Sequence, residues 1–550
     1  MPMNRSTRLV LSAAALGASL LAQSNERGAN YDGALTDISS ARAWGRRGLA
    51  YPNGEVGISF QNQLCNPGTI PIEWRAPGGS VGSTILSDHP KFGFLVAREV
   101  GGRLVQISDW SYCKHAFYAL ASPSTCTGTC VPPAVAGTQL GVKCSDIYSN
   151  SNNASRTYLG PPAEINPWLG SWPATGNYFD VGDPAQSNFP QPADGIRSLN
   201  TTGFDNVKNR VTIREQDLVS ATSQLFFQIH VIHEGERVEN RGNNVMSRPF
   251  GLSWGGSSWT ASTSGTATLG SILTRWPGAT ITSGSNGGTG THFDDDGRFL
   301  VAVKVSGPVG GMWHYEYVVQ NLDNDRGGAS FRLPICDGAR VSNLGFRDID
   351  QNPLNDWLPT VANGEIAFTD GAGNPHNWNT LYNFWFDCDV APTAGNASID
   401  QARPGPGALT VTVPTTVPGH QPALWLAGAC GTPTTDLEVN GVPAAGNLAF
   451  ALQVQSGPNV PVLLFFSGAE VSVPFGGGCE WHLDLAAGAP VGLLVTDGNG
   501  QATVPIPVNA GQTPADLWFQ GASFVPAPPV LGLVGLSNAL QVRFASSGCN

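Results

Sequence analysis

The chain has 550 residues, 41 acidic against 29 basic side chains, a formal net charge of −12, 68 glycines and 41 prolines, and only 13 % of its residues are charged. That length exceeds one ordinary domain of roughly 100 to 200 residues. The acidic balance, with no Lys/Arg-rich run beyond the first residues, argues against nucleic acid or an anionic membrane surface as partner.

Arg5 and Arg8 precede an apolar run over residues 9–21 that ends at Ala22, the order of regions in a secretory signal peptide. Residues 1–22 are therefore expected to be removed on export. No later run approaches the roughly 20 apolar residues of a spanning helix, so no transmembrane segment is expected. Residues 23–52 read as a loosely structured lead-in.

From residue 53 to 390 the texture is that of one large β domain. Residues 54–60 alternate, and 92–100 with 104–110 form a hairpin around Gly101 and Gly102. Residues 111–200 break into Pro, Gly, Ser and Asn with scattered aromatics, a loop-rich insertion that is either functional or pinned by disulfides. Strands resume at 210–218 and 224–234, where His230 and His233 fall on opposite faces. The clearest signal is a meander over residues 291–335. Phe299, Val301, Val303 and Val305 share a face of one strand, and Trp313, Tyr315, Tyr317 and Val319 share a face of the next, predicting a half-buried antiparallel sheet. Residues 379–387 add an aromatic strand. Residues 391–407 have linker composition, and 408–550 read as a smaller C-terminal β-sandwich. The fold class expected is thus mainly β: a large antiparallel sandwich-like domain with long loop insertions, and a small sandwich after it.

Ten cysteines in an exported chain are read first as disulfides. The expected bridges are Cys430–Cys479 and Cys336–Cys388, with Cys549 and one N-terminal cysteine left unpaired, because a chain end rarely holds the separation a bridge needs. Cys113, Cys126, Cys130, Cys144 and His115 can instead be drawn as a zinc site, though their gaps are irregular.

Several stretches carry a resemblance. His89-Pro90, the run from Gln106 to Ser111, Lys114-His115, the run from Leu140 to Asp146, Leu159-Gly160-Pro161, Trp313-His314-Tyr315-Glu316-Tyr317 and the run from Thr380 to Asp387 resemble a family of exported bacterial proteins common in Planctomycetes. The run from Leu536 to Val542 resembles a C-terminal β module found on many exported proteins of that group. The resemblance spans nearly the whole mature chain and implies compartment and architecture, but no catalytic residue.

Four constellations could carry chemistry. Gly251-Leu252-Ser253-Trp254-Gly255 matches G-x-S-x-G, which would make Ser253 a nucleophile if a strand, a sharp turn and a helix surrounded it; Gly, Ser, Thr and Trp follow instead. His292, Asp294, His314 and Glu316 could be combined into a metal site, and Asp348, Asp350, Asn352 and Asp356 into a calcium loop, calcium being the one exception to an expectation of no cofactor. The simpler reading makes both acidic runs turns and puts His314 and Glu316 on a solvated strand face. The loop insertion offers Lys114, His115, Asp146, Glu164, Trp168 and Trp172 as a ligand-binding surface whose aromatic faces could stack on sugars; alternatively, the tryptophans lid the sandwich. The function expected is a non-enzymatic cell-surface or extracellular-matrix protein whose partner is a glycan or another envelope component. The alternative is a secreted hydrolase acting on a polymer.

Overall fold

The computed structural model describes residues 26–123, 126–219, 224–287, 294–335, 339–419, 423–426, 428–440, 443, 445–513, 515–526 and 528–544. The expected signal peptide lies outside them. The protein is nearly all β, with 48 % strand and 6 % helix, in antiparallel sheets. Among the described residues no helix is long and apolar enough to cross a membrane.

The first sandwich is built on Gln224–Ile232, with Lys91–Val100 on one side and Val245–Trp254 on the other. In this register Phe227 stands opposite both Val96 and Arg248. Alternation sends Phe92, Phe94, Val96, Phe227 and Ile229 to one face, where they meet Val56, Ile58 and Phe60 of the strand Gly54–Phe60. The rings of Phe60 and Phe227 stack at 4.1 Å. The described part of the expected lead-in, residues 26–52, is more ordered than expected. Ala34–Asp37 and Ala41–Gly48 are strands, the second paired with Gly54–Phe60.

The meander belongs to a second sandwich. One sheet runs Thr280–Ser285, Arg298–Val309, Met312–Asn321, Thr380–Cys388, Val341–Arg347; the facing sheet runs Leu358–Ala362, Glu365–Thr369, Ser330–Pro334, Pro392–Asp400, Thr410–Pro418. Val301 pairs Val319 and Val303 pairs Tyr317, and the shared face packs on Phe331, Leu333, Ile399 and Val411. The linker expected over 391–407 is a correction: Pro392–Asp400 pairs along its whole length with Thr410–Pro418, and the hairpin belongs to this sandwich. Gly- and Pro-rich composition suits the hairpin's connecting turn as well as a linker, and Ala397, Ile399, Val411 and Val413 supply the buried alternation. A third sandwich follows from Ala423, with Leu437, Leu452, Val454, Val462, Leu464, Leu540 and Val542 at its centre.

The first two sandwiches are welded back to back. Leu95, Ala97, Leu104 and Phe226 of the first meet Ala302, Val318 and Leu381 of the second in a separate apolar layer. The meander sheet is therefore buried on both faces here, where sequence alternation predicts water on one side. Buried polar side chains close the weld: Gln106 Oε1 accepts from the Leu381 amide at 2.8 Å, Asn383 donates to the Leu104 carbonyl at 2.9 Å, and Asn379 donates to the Phe94 carbonyl at 2.9 Å. Each makes a bond across the weld, and only Asn383 Oδ1 among these three side chains is left buried without a partner.

Disulfides Cys65–Cys126 and Cys130–Cys144 pin the loop insertion, and Cys430–Cys479 ties the third sandwich as expected. Three of the cysteines drawn into a zinc site are thus consumed by bridges. Cys113 is the free N-terminal thiol. The expected Cys336–Cys388 bridge is not formed: Cys388 is a buried free thiol at the end of its strand, accepting from the Val390 amide. Cys336 and Cys549 lie outside the described residues.

Candidate functional site

The loop insertion folds inward, so the expectation of an open aromatic surface there is corrected. Trp168 and Trp172 are only 3 % and 4 % exposed, and neither indole face is offered to a sugar. Trp172, Tyr178, Phe179, Ile165 and Cys113 form a core of their own over the end of the first sandwich. His115 lies inside it. The His89 Nδ1 donates to the Arg75 carbonyl at 3.1 Å, which leaves His89 Nε2 to accept from His115 Nδ1 at 2.9 Å. Burial holds both imidazoles far below their ordinary range, and neighbouring lysines push the same way. The Lys114 ammonium is buried 4.4 Å from the Phe117 ring and 4.5 Å from the Tyr158 ring, with no hydrogen-bond partner, and burial lowers its pKa strongly. Asp146 accepts from the Leu120 and Ile147 amides, its pKa raised by burial to about 6. Glu164 accepts from the Tyr178 amide and Trp172 Nε1, raised by burial to about 7. These six residues hold the insertion together and are spread through its interior.

Ser253 lies in mid-ladder, exposed and paired with Thr260 in a hairpin, with no helix after it. The strand-turn-helix that a nucleophile elbow needs is not formed. His292 lies outside the described residues. Asp294 lies in the bend before Arg298–Val309, beside a buried pair of Asp296 with Arg326 at 3.0 Å. In the acidic loop, Asp348 and Asp350 each accept an amide two residues on, and Asn374 donates to Asp348, so the carboxylates close turns rather than converge. Among the described residues no group of three or more His, Cys, Asp or Glu side chains is arranged to hold a metal.

What does converge is a cleft of 530 Å³ where the weld between the first two sandwiches ends. Strand parity builds it. On the outer face of the meander sheet, Ala302, Val318 and Gln320 are covered by the first sandwich, while Lys304, Ser306 and His314, further along the same face, line the cleft and Glu316 among them is capped by Arg103. The first sandwich contributes the turn Gly101-Gly102 and Arg103. The Arg103 guanidinium bonds Glu316 at 2.5 Å and lies 3.7 Å over the Trp385 ring, which stands opposite Glu316 in the register. His314 Nδ1 bonds Asp387 at 2.6 Å and its Nε2 lies 3.3 Å from Glu316. Lys304 sits 4.4 Å over Trp276, and Arg347 closes the far wall. Sequence reading placed His314 and Glu316 together on one face, and the structure keeps them together. It missed Arg103, Lys304 and Arg347, which no local pattern connects.

No family model matches the chain, and no curated protein matches it. Among solved structures it matches BcpA, the major pilin subunit of Bacillus cereus, at 7 % identity and a TM-score of 0.17 over 58 % of this chain and 77 % of that one. It also matches Escherichia coli alpha-2-macroglobulin activated by porcine elastase, at 10 % identity and a TM-score of 0.14 over 95 % of this chain, but spans only 35 % of that protein. Likenesses of this size carry no argument about function. The disulfides and the β-sandwich architecture are those of an extracellular protein.

Proposed function

We propose that the protein is an exported, non-enzymatic protein of the cell surface or extracellular matrix that uses the cleft to hold a ligand without transforming it. One observation carries this reading: the groups of the cleft best suited to proton transfer are engaged with each other and with the fold. His314 is held by Asp387, and Glu316 by Arg103. A general acid or base needs a free nitrogen or oxygen aimed at substrate.

One arrangement favours the hydrolase reading. Ser306, His314 and Asp387 stand opposite one another on three neighbouring strands, the parts of an acyl-transfer centre. His314 Nε2 is turned to Glu316, however, so the serine lacks its base. A panel of ester, glycan and peptide substrates tested on the mature protein, the Ser253→Ala variant and the His314→Ala variant separates the readings. No turnover by any of the three is expected. Turnover by the wild type that either substitution abolishes would overturn the non-enzymatic reading.

A further inference from the structure

The cleft inverts the charge of the molecule that carries it. Across a chain of net charge −12, this one region gathers Arg98, Arg103, Arg214, Lys304 and Arg347 around Glu99, Asp217, Glu316 and Asp387, five cations to four carboxylates. The pairing is uneven. Asp217 is shared by Arg98 at 3.2 Å, Arg214 at 3.3 Å and Arg347 at 3.8 Å, so three guanidiniums lean on one carboxylate. The Nε of Arg347 is buried without a hydrogen-bond acceptor. Lys304 donates only a 3.5 Å contact to the Gly102 carbonyl, and among the described residues no carboxylate lies within salt-bridge distance of it. A cleft with low-dielectric walls and one sign of surplus charge concentrates the opposite charge from solution.

The rest of the lining says what kind of anion fits. The rim is bare of side chains: a side-chain carbon added at Gly101, Gly102 or Gly278 would meet nothing within 4 Å, and although the Gly102 amide and carbonyl are taken by Glu99 and Trp276, a hydroxylated ligand can approach the backbone closely there, beside the hydroxyl of Ser306. Trp276 is 2 % exposed and covered by Lys304, so the cleft offers no open aromatic face, and its aliphatic lining is confined to Val100, Val105 and Val305. Protein partners are anchored mainly by side chains in apolar sockets. A volume of 530 Å³ is that of a site for an organic ligand rather than a lone inorganic ion.

Resting on the reading of the cleft as a recognition site, we propose that it takes a carboxylated or sulfated polysaccharide, with Lys304, Arg347 and Arg103 facing the acidic groups and the glycine rim facing the hydroxyls. The test is calorimetric titration of the mature protein with polygalacturonate and with dextran sulfate, against neutral dextran and polyglutamate. Binding to one or both acidic glycans is expected, with neutral dextran silent, and it weakens at least about tenfold from about 50 mM to about 500 mM salt. Lys304→Glu and, separately, Arg347→Met each weaken it by about tenfold or more while thermal unfolding stays near that of the wild type. The two positions lie on different strands, Arg298–Val309 and Val341–Arg347, with two strands between them, so a folding defect in one leaves the other informative. Equal binding of neutral dextran, tighter binding of polyglutamate, binding indifferent to both variants, or no binding of any polymer would each overturn the inference. If no polymer binds and the substrate panel shows no turnover, the non-enzymatic reading stands without it; turnover would remove that reading instead.

Discussion

His89 and His115 illustrate how a residue's surroundings set its chemistry. Their shared hydrogen bond needs an unprotonated His89 Nε2, and burial together with Lys91, Lys114 and Arg197 disfavours a charge on His115. In the unfolded chain each ring titrates near 6.5; in the fold each stays neutral far below that. The unfolded state therefore binds more protons on the acid side, and the stability these rings contribute is complete above about pH 6.5 and lost as the pH falls below it. Urea unfolding of the wild type and of His115→Phe is expected to diverge by about 1.4 kcal/mol per pH unit from about pH 6 downward, the wild type losing more. Parallel pH profiles would mean that His115 is not a neutral buried ring. None of this was legible in residues 111–200. Pro, Gly, Ser and Asn mark irregular backbone, but irregular backbone can run through an interior if disulfides fix it and side-chain acceptors satisfy its amides, as Cys65–Cys126 and Asp146 respectively do here.

At the scale of strands, alternation was read correctly wherever one face meets one core. Phe299, Val301, Tyr315 and Tyr317 lie buried as expected. Alternation cannot reveal that the opposite face is also covered, since Gln320 and Asn383 look solvated in sequence and are wholly buried in the weld. The cleft was half legible for the same reason: His314 and Glu316 are two apart on one strand, whereas Arg103 reaches Glu316 from 213 residues away. Gly345 shows how closely these strands are fitted. It stands opposite Trp385, and a methyl group there would lie 2.1 Å from the indole. Gly345→Ala is expected to displace the indole on which Arg103 rests, at a cost of about 1 to 3 kcal/mol, read from denaturant midpoints together with a shifted tryptophan emission. An unchanged midpoint would show that the ring has room to slide.

The molecule as a whole divides at the end of Thr410–Pro418, not at the linker composition suggests. The first two sandwiches share an apolar layer and hydrogen bonds from buried amides, while the third has a separate core and its own bridge. Calorimetry is expected to show two unfolding transitions, one for the welded pair and one for the C-terminal sandwich. Replacing Cys430 and Cys479 by serine opens a loop spanning a separation of 49 residues, and the stability lost, about 4 kcal/mol, should move the second transition alone. Movement of both would mean that the third sandwich is fastened to the others. The buried thiols take the same division down to chemistry. Cys113 lies beneath the loop insertion of the first sandwich and Cys388 inside the second, both fully buried. An alkylating reagent reaches either one only when its own sandwich opens, so the two cysteines are clocks on opposite sides of the weld. Two clocks that keep the same time would mean that the seam never parts before the halves do.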